Sequence, residues 1–211
     1  MLGGDPPNVA GAVETARRTM RDADRASAVI SRLRALFGKK EGPAEAMDLN
    51  EAAREVIALI GGDLQRNKVI LKTDLSDELS PVKGDRIQLQ QVILNLLLNG
   101  SDAMRAVDDR PRQLTIRTSR KEDSGARACL SVEDAGVGID TLATERMFQA
   151  FHTTKPDGMG IGLAVSRSIV ERHGGTIWAA ANDGPGATFA FTISFDPTAT
   201  GESGVPSDSL K

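Results

Sequence analysis
The chain has 211 residues, 40% hydrophobic and 3% aromatic, with 26 basic and 29 acidic side chains and a net charge of −3. That length suits one domain with an appendage or two small domains, and the balanced charge lacks the basic excess or stripe of a nucleic-acid binder. The single Cys129 excludes an internal disulfide and no apolar run is long enough to span a bilayer, so a cytoplasmic chain is expected, with Cys129 a buried structural thiol.

Residues 1–8, MLGGDPPN, form a turn-rich lead-in, and 9–37 read as one helix. Val13, Ala16, Met20, Ala23, Ser27 and Ile30 occupy a and d heptad positions, joined by Leu33 and Phe37. Such a seam cannot be buried by one helix, so a pairing partner, possible as a homodimer, is expected. Residues 38–43, GKKEGP, read as a linker. Asp48 or Asn50 caps a second helix running to about Ile60. A strand is expected over 69–75 and a long helix over 85–107. Strands at 113–120 and 126–134 follow, then a short helix near 141–147 and a Thr/Lys/Pro/Gly-rich loop over 151–160. The helix at 161–173 stops at Gly174-Gly175. Strands at 176–181 and 187–195 flank the turn NDGPG, and 197–211 read as a disordered tail. The expected division is 1–45 as helix and linker, 46–196 as one α+β sandwich with helices packed on one face of a mixed sheet, and 197–211 as tail.

Three polar insertions interrupt apolar stretches. The helix at 85–107 is apolar nearly all round, through Ile87, Leu89, Val92, Ile93, Leu94, Leu96, Leu97, Leu98, Ala103 and Met104. Gln88, Gln91 (or Gln90), Asn95, Asn99 and Asp102 form one stripe along it. Buried amides need partners, whether backbone, water or a ligand, and amide oxygens suit Mg²⁺. Asp134 ends an apolar strand just before Gly136 and Gly138. An ionised carboxylate only accepts, so it suits an exocyclic amine such as adenine's; an ordinary Asp-Gly turn is the alternative. Gly158, Gly160 and Gly162 lead with Leu163 into a helix whose N–H groups make an anion site, and Lys155 lies just upstream. Thr188 opens the last strand, on the adenine side. There is no Walker A sequence. One ATP pocket accounts for all three insertions together.

These motifs resemble the ATP-binding domain of sensor histidine kinases, in the superfamily shared with type II topoisomerases, the ninety-kilodalton heat-shock chaperones and mismatch-repair ATPases. QVILNLLLNGSDAM is similar to the N box, DAGVG to the G1 box, MFQAFHTTK to the F box and GMGIGLAVSRSIVERHGG to the G2 box. The resemblance, over about 47–195, implies a Bergerat-type α/β sandwich with a mobile lid near 140–162. It implies ATP and Mg²⁺ as ligands. Asn99 would hold Mg²⁺, Asn95 would contact Mg²⁺ or phosphate, Asp134 would bind adenine, and Lys155 with the glycines would meet the phosphates. Asp102, Gly136, Gly138, Ile139, Met159, Ile161, Leu163 and Thr188 complete the expected binding set. Asn95 stands where hydrolysing relatives carry a general-base Glu, which favours transfer to a protein over hydrolysis; Asn95 and Lys155 are the expected catalytic residues.

DADRASAVISRLRALF is similar to the second helix of the dimerisation and phosphotransfer hairpin of these kinases, but the first helix with its His-Glu-x-x-x-Pro motif is not in the sequence. The lead-in then reads as the turn of that hairpin, and the chain as a fragment of a longer gene product. His152 falls in the expected lid and reads as an exposed lid residue, and His173, at a helix C-terminus where positive charge is favourable, reads as structural. The expectation is a chain that binds ATP·Mg²⁺ and does not phosphorylate itself on the usual histidine. Its partners would be a phosphoacceptor helix and a response-regulator receiver domain. Two other readings share the pocket: a nucleotide-gated dimerisation module without kinase activity, and a serine kinase of the anti-sigma type.

Overall fold
The computed structural model describes residues 11, 13–15, 44–122, 125–140, 144–153 and 160–198. The chain divides into two units, Met1–Lys39 and Lys40–Lys211. In the first, residues 11 and 13–15 are helical, and the Thr15 hydroxyl donates back to the Gly11 carbonyl at 2.8 Å. The rest of the expected heptad helix lies outside the described residues, as do the linker at 38–43 and the tail beyond Thr198.

The second unit runs β1 (Glu45–Met47), α1 (Leu49–Arg66), β2 (Ile70–Leu75), β3 (Val82–Gly84), α2 (Arg86–Ala103), β4 (Gln113–Lys121), β5 (Arg127–Asp134), a 3-10 turn (Arg146–Phe148), α3 (Gly162–Arg172), β6 (Thr176–Ala181) and β7 (Ala187–Ser194). Five strands form one sheet in the order β2-β4-β5-β7-β6, and β1 pairs with β3 in a second, two-stranded sheet. β2 and β4 are parallel and the other neighbours in the large sheet are antiparallel. A parallel pair needs a crossover, and α2 lies within it. α2 packs on β4 and β5 and α3 on β6 and β7. This is the mixed-sheet α+β sandwich expected from the sequence, and its core is aliphatic with Phe189 and Phe191 added.

Asp48, not Asn50, caps α1: its carboxylate accepts from the Asn50 and Glu51 N–H groups at 2.7 and 3.2 Å. The helix continues through Gly61-Gly62 to Arg66. Leu64 prolongs the buried stripe Ala53, Val56, Ile60 by one more turn, and that burial outweighs the roughly 1 kcal/mol each glycine costs a helix. Asn50 is instead buried. Its Nδ2 donates to the Ser76 carbonyl and its Oδ1 accepts from Thr118 Oγ1, both at 2.7 Å, while Thr118 Oγ1 accepts from the Ser76 N–H at 2.9 Å. One side chain thus ties α1 to β4 and the end of β2. Asn50→Ala leaves a carbonyl and a hydroxyl unsatisfied and is expected to cost about 2–3 kcal/mol. Urea unfolding checks this: the midpoint falls and the slope stays.

α2 departs from the all-round apolar expectation at its start. Ile87 is 72% exposed, and Leu94 and Leu98 are half-buried, because only one face meets the sheet. Arg86 pairs with Glu51 and Glu55 of α1 across exposed surface, contacts worth little individually. Of the short helix expected near 141–147, the described part is a turn at 144–145 followed by the 3-10 turn with buried Phe148; residues 141–143 lie outside the described set. Cys129 is buried in β5. No described helix is long and apolar enough to cross a membrane.

Candidate nucleotide-binding site
The polar stripe of α2 divides along its length. At the start, Gln88 donates from its N–H and its Nε2 to the capping carboxylate of Asp85, both at 3.1 Å. Gln90 turns to Glu55 on α1, which leaves Gln91 as the stripe member. Further along, Asn95 is buried and its Nδ2 donates to Ser166 Oγ of α3 at 3.0 Å. Its Oδ1 lies so close to Gly162 that a Cβ there would overlap it. Asn99 and Asp102 follow on the same helix, half-buried, with Asp102 paired to Arg105 at 2.9 Å.

Asp134 reaches this helix through a second glycine. A Cβ built on Gly100 would stand 3.4 Å from Asp134 Cβ and against Leu114 and Val132. The carboxylate therefore leaves β5 on the helix-covered face, close to the residue that follows Asn99. It is 3% exposed, and Oδ1 accepts from the Gly136 N–H at 2.8 Å. Burial raises its affinity for a proton above that of an ordinary carboxyl; hydrogen bonds from the Gly136 and Ala187 N–H groups pull it partway back, and Glu133 adds to the rise.

Gly136 is held tightly, since a Cβ there would stand 2.8 Å from the Ala103 carbonyl oxygen at the end of α2. Gly138 has φ +79 and faces Gly186 of the β6–β7 turn. Ile139 is half-buried beside it. Before α3, Gly160 has φ +63 and its carbonyl accepts from the Phe151 N–H at 2.9 Å. Phe151 itself adopts φ +67 and is 77% exposed, a strained conformation for a bulky residue. Buried Ile161 leads into α3, Leu163 is half-buried, and among the described residues no side chain caps the helix start. Lys155, Gly158 and Met159 lie outside the described residues.

Thr188 is placed differently from the expectation. It pairs with Glu133, one residue before Asp134, so strand alternation sends its side chain to the opposite face of the sheet. Its hydroxyl donates to Asn182 Oδ1 at 2.8 Å, and Asn182 Nδ2 donates to the Asp134 carbonyl at 3.0 Å. His173 has the structural place expected of it. Its Nε2 accepts from the Asp85 N–H at 2.9 Å, and its Nδ1 lies 2.7 Å from the Ile169 carbonyl. A backbone N–H can only donate, so Nε2 is the acceptor there, and the side chain joins the start of α2 to the end of α3.

Arg110, Ser166, Asn182 and Gly186 are not among the expected site residues, although Ser166 lies in the G2-like segment and Asn182 and Gly186 bound the turn NDGPG, and all four meet the predicted residues here. A cleft of about 370 Å³ lined by Lys83, Asp85, Gln88, Arg172 and His173 lies at the Asp85 end of α2, and of the predicted stripe only Gln88 reaches it. Among the described residues, no group of three or more His, Cys, Asp or Glu could hold a metal. A divalent ion here would take amide and phosphate oxygens, and the Asn95–Asn99 pair fits that donor set.

Buried Asp134, the amide pair of α2 and a glycine-led, uncapped helix start define an α/β sandwich built to take a nucleotide. The chain belongs to the histidine kinase-, DNA gyrase B- and HSP90-like ATPase family, whose profile matches residues 84–197, and within it to the ATP-binding domains of sensor histidine kinases. It is 36% identical to the sensor histidine kinase TmoS of Ectopseudomonas mendocina over 193 residues, 91% of this chain and 20% of TmoS. The catalytic domain of the histidine kinase ThkA superposes with a TM-score of 0.64 at 30% identity, covering 75% of this chain and 99% of that domain. Full-length ShkA, solved in complex with AMPPNP, superposes with a TM-score of 0.70 at 26% identity over 87% of this chain and 38% of ShkA. The chain thus spans only a small part of the full-length kinases it matches.

Proposed function
We propose that this chain is the ATP-binding catalytic part of a two-component sensor kinase, passing the γ-phosphate of ATP to a histidine on a separate helix for relay to a response-regulator receiver. The observation that carries the reading is the convergence of Asn95, Asp134 and Gly162 on one stretch of α2. Asp134 accepts the adenine amine through the carboxylate oxygen capacity that Gly136 and Ala187 leave over. Asn99 and Asn95 offer oxygens to Mg²⁺, and Asp102 extends that polar edge. The first turn of α3, from Gly160 through Leu163, offers N–H groups to phosphate. Lys155, Gly158 and Met159 would complete the phosphate side. Bound ATP·Mg²⁺ supplies a phosphoryl group whose charge the metal partly neutralises.

Two features favour transfer to another helix. Asn95 has no basic group with which to activate water, so hydrolysis is slow. His173 uses both ring nitrogens within the fold, so neither can attack a phosphate. Incubating the chain with γ-labelled ATP and a separate helical hairpin bearing a phosphoacceptor histidine tests this. Acid-labile label is expected on the hairpin. Label on His152 or His173 instead, or none on the hairpin, would overturn the proposal.

A further inference from the structure
The turn that carries Asp134 is gripped from outside the site. Three successive carbonyls, from the last residue of β5 onward, each accept from a side chain. Asn182 Nδ2 takes the Asp134 carbonyl at 3.0 Å, and also the Pro185 carbonyl at 3.2 Å. Arg110 Nε takes the Ala135 carbonyl at 3.1 Å, and its second terminal nitrogen takes the Gly136 carbonyl at 2.9 Å. The N–H groups of the same turn are also engaged: Ala135 donates to the Gln113 carbonyl at 3.1 Å, Gly136 to Asp134 Oδ1 at 2.8 Å and Val137 to the Ala103 carbonyl at 3.4 Å.

The two grips come from different places in the chain. Arg110 sits in the loop between α2 and β4, and its remaining nitrogen pairs with Asp109 at 3.0 Å. Asn182 opens the β6–β7 turn, and Thr188 on the far face of the sheet fixes its amide by donating to Oδ1. Neither points at the carboxylate. Each sets the backbone from which it projects.

From this arrangement we infer that Arg110 and Asn182 are positioning residues for nucleotide binding, holding the Asp134 turn in its binding shape before ligand arrives. The inference rests on Asp134 being the nucleotide contact. A turn fixed in advance does not have to be ordered when ligand binds, so affinity is gained without a direct contact. Arg110 supplies charge-assisted bonds to two adjacent carbonyls in a fork that a lysine, with one donor centre, does not reproduce.

Calorimetric titration of the intact chain with Mg²⁺·AMPPNP, at one pH and salt, tests this against Arg110→Ala, Arg110→Lys and Asn182→Ala. Arg110→Ala and Asn182→Ala are each expected to weaken binding about tenfold, and Arg110→Lys to recover only part of that. The double variant should lose less than the product of the two single losses, because both release the same turn. Hydrogen exchange without ligand supplies a readout that general weakening does not mimic: faster exchange confined to the amides of Ala135, Gly136 and Val137. Arg117→Ala, which removes an exposed pair with Asp74, serves as the control with unchanged affinity. Variants that bind within twofold of wild type, or exchange that rises equally throughout the unit, would overturn the inference while leaving the nucleotide reading intact. A wild-type chain that does not bind AMPPNP would overturn both.

Discussion

Asp134→Asn is expected to weaken binding of Mg²⁺·AMPPNP by about 100-fold or more while the chain melts at the same or a higher temperature. The carboxylate is 3% exposed at the end of β5, where only an acceptor matches an adenine amine. The amide is the same size and keeps one oxygen for the Gly136 N–H, but it turns a donor toward the incoming donor. Stability moves the other way. Burial raises the folded-state pKa of Asp134 above its unfolded value, so the fold binds this proton more tightly than the unfolded chain does. The contribution to stability is full below the unfolded value and is lost as pH rises through the folded value. At neutral pH the ionised group is therefore a cost to the fold, and the amide removes that cost. The same shift predicts that wild-type affinity declines on acidification at a higher pH than an ordinary carboxyl would give. Calorimetric titrations and thermal melts of both chains, repeated across pH, check all three expectations. Equal affinity in the two chains would contradict the role given to Asp134.

Gly186→Ala is expected to cost at least about 3 kcal/mol. Gly186 has φ +96, and a Cβ there would overlap the carbonyl oxygen of Asp134. The obstacle is backbone on both sides, so no side chain can swing away. At about 2–4 °C per kcal/mol for a unit of this size, the melting temperature should fall by roughly 6–12 °C. Gly184, two residues earlier in the same turn, meets nothing within 4 Å, and Gly184→Ala should stay within about 0.5 kcal/mol of wild type. Calorimetric melts of the pair isolate the close approach from the general cost of replacing glycine. Equal melting temperatures would show that the β6–β7 turn does not press on Asp134.

Periodicity makes most of the fold legible. The three-and-four spacing of Leu89, Val92, Ile93, Leu96 and Leu97 gives α2, and period-two alternation gives β4, β5 and β7. β1 and β3 leave no signal because three residues carry no period. Gly61-Gly62 reads locally as a stop, yet Leu64 lies one turn further on the buried stripe and carries α1 past it. The cap falls at 48 rather than 50 because only Asp48 stands before the first helical N–H groups, which leaves Asn50 to be buried.

The site is legible where its chemistry is local. Asp134 with its glycines, and Asn95 with Asn99, stand out by type and spacing, and the fold brings both sets onto α2. Thr188 lies near the turn in sequence, but a one-residue register places its side chain on the other face. His173 reads as structural from its helix end, but its partner, the Asp85 N–H, is 88 residues away in sequence and only the fold reveals it. Arg110 leaves no pattern at all and Asn182 shows only as the first residue of a turn, because both recognise backbone carbonyls that only the folded chain brings near.

Nucleotide is expected to sit between α2, the Asp134 turn and the start of α3. Titration of the isotopically labelled chain with Mg²⁺·AMPPNP, each amide followed by NMR, locates it residue by residue. Saturable shifts are predicted at Asn99, Gly136, Gly138, Gly160 and Gly162, with competition by ADP. Shifts confined to the cleft at Lys83, Asp85, Arg172 and His173, or no shifts, would contradict it.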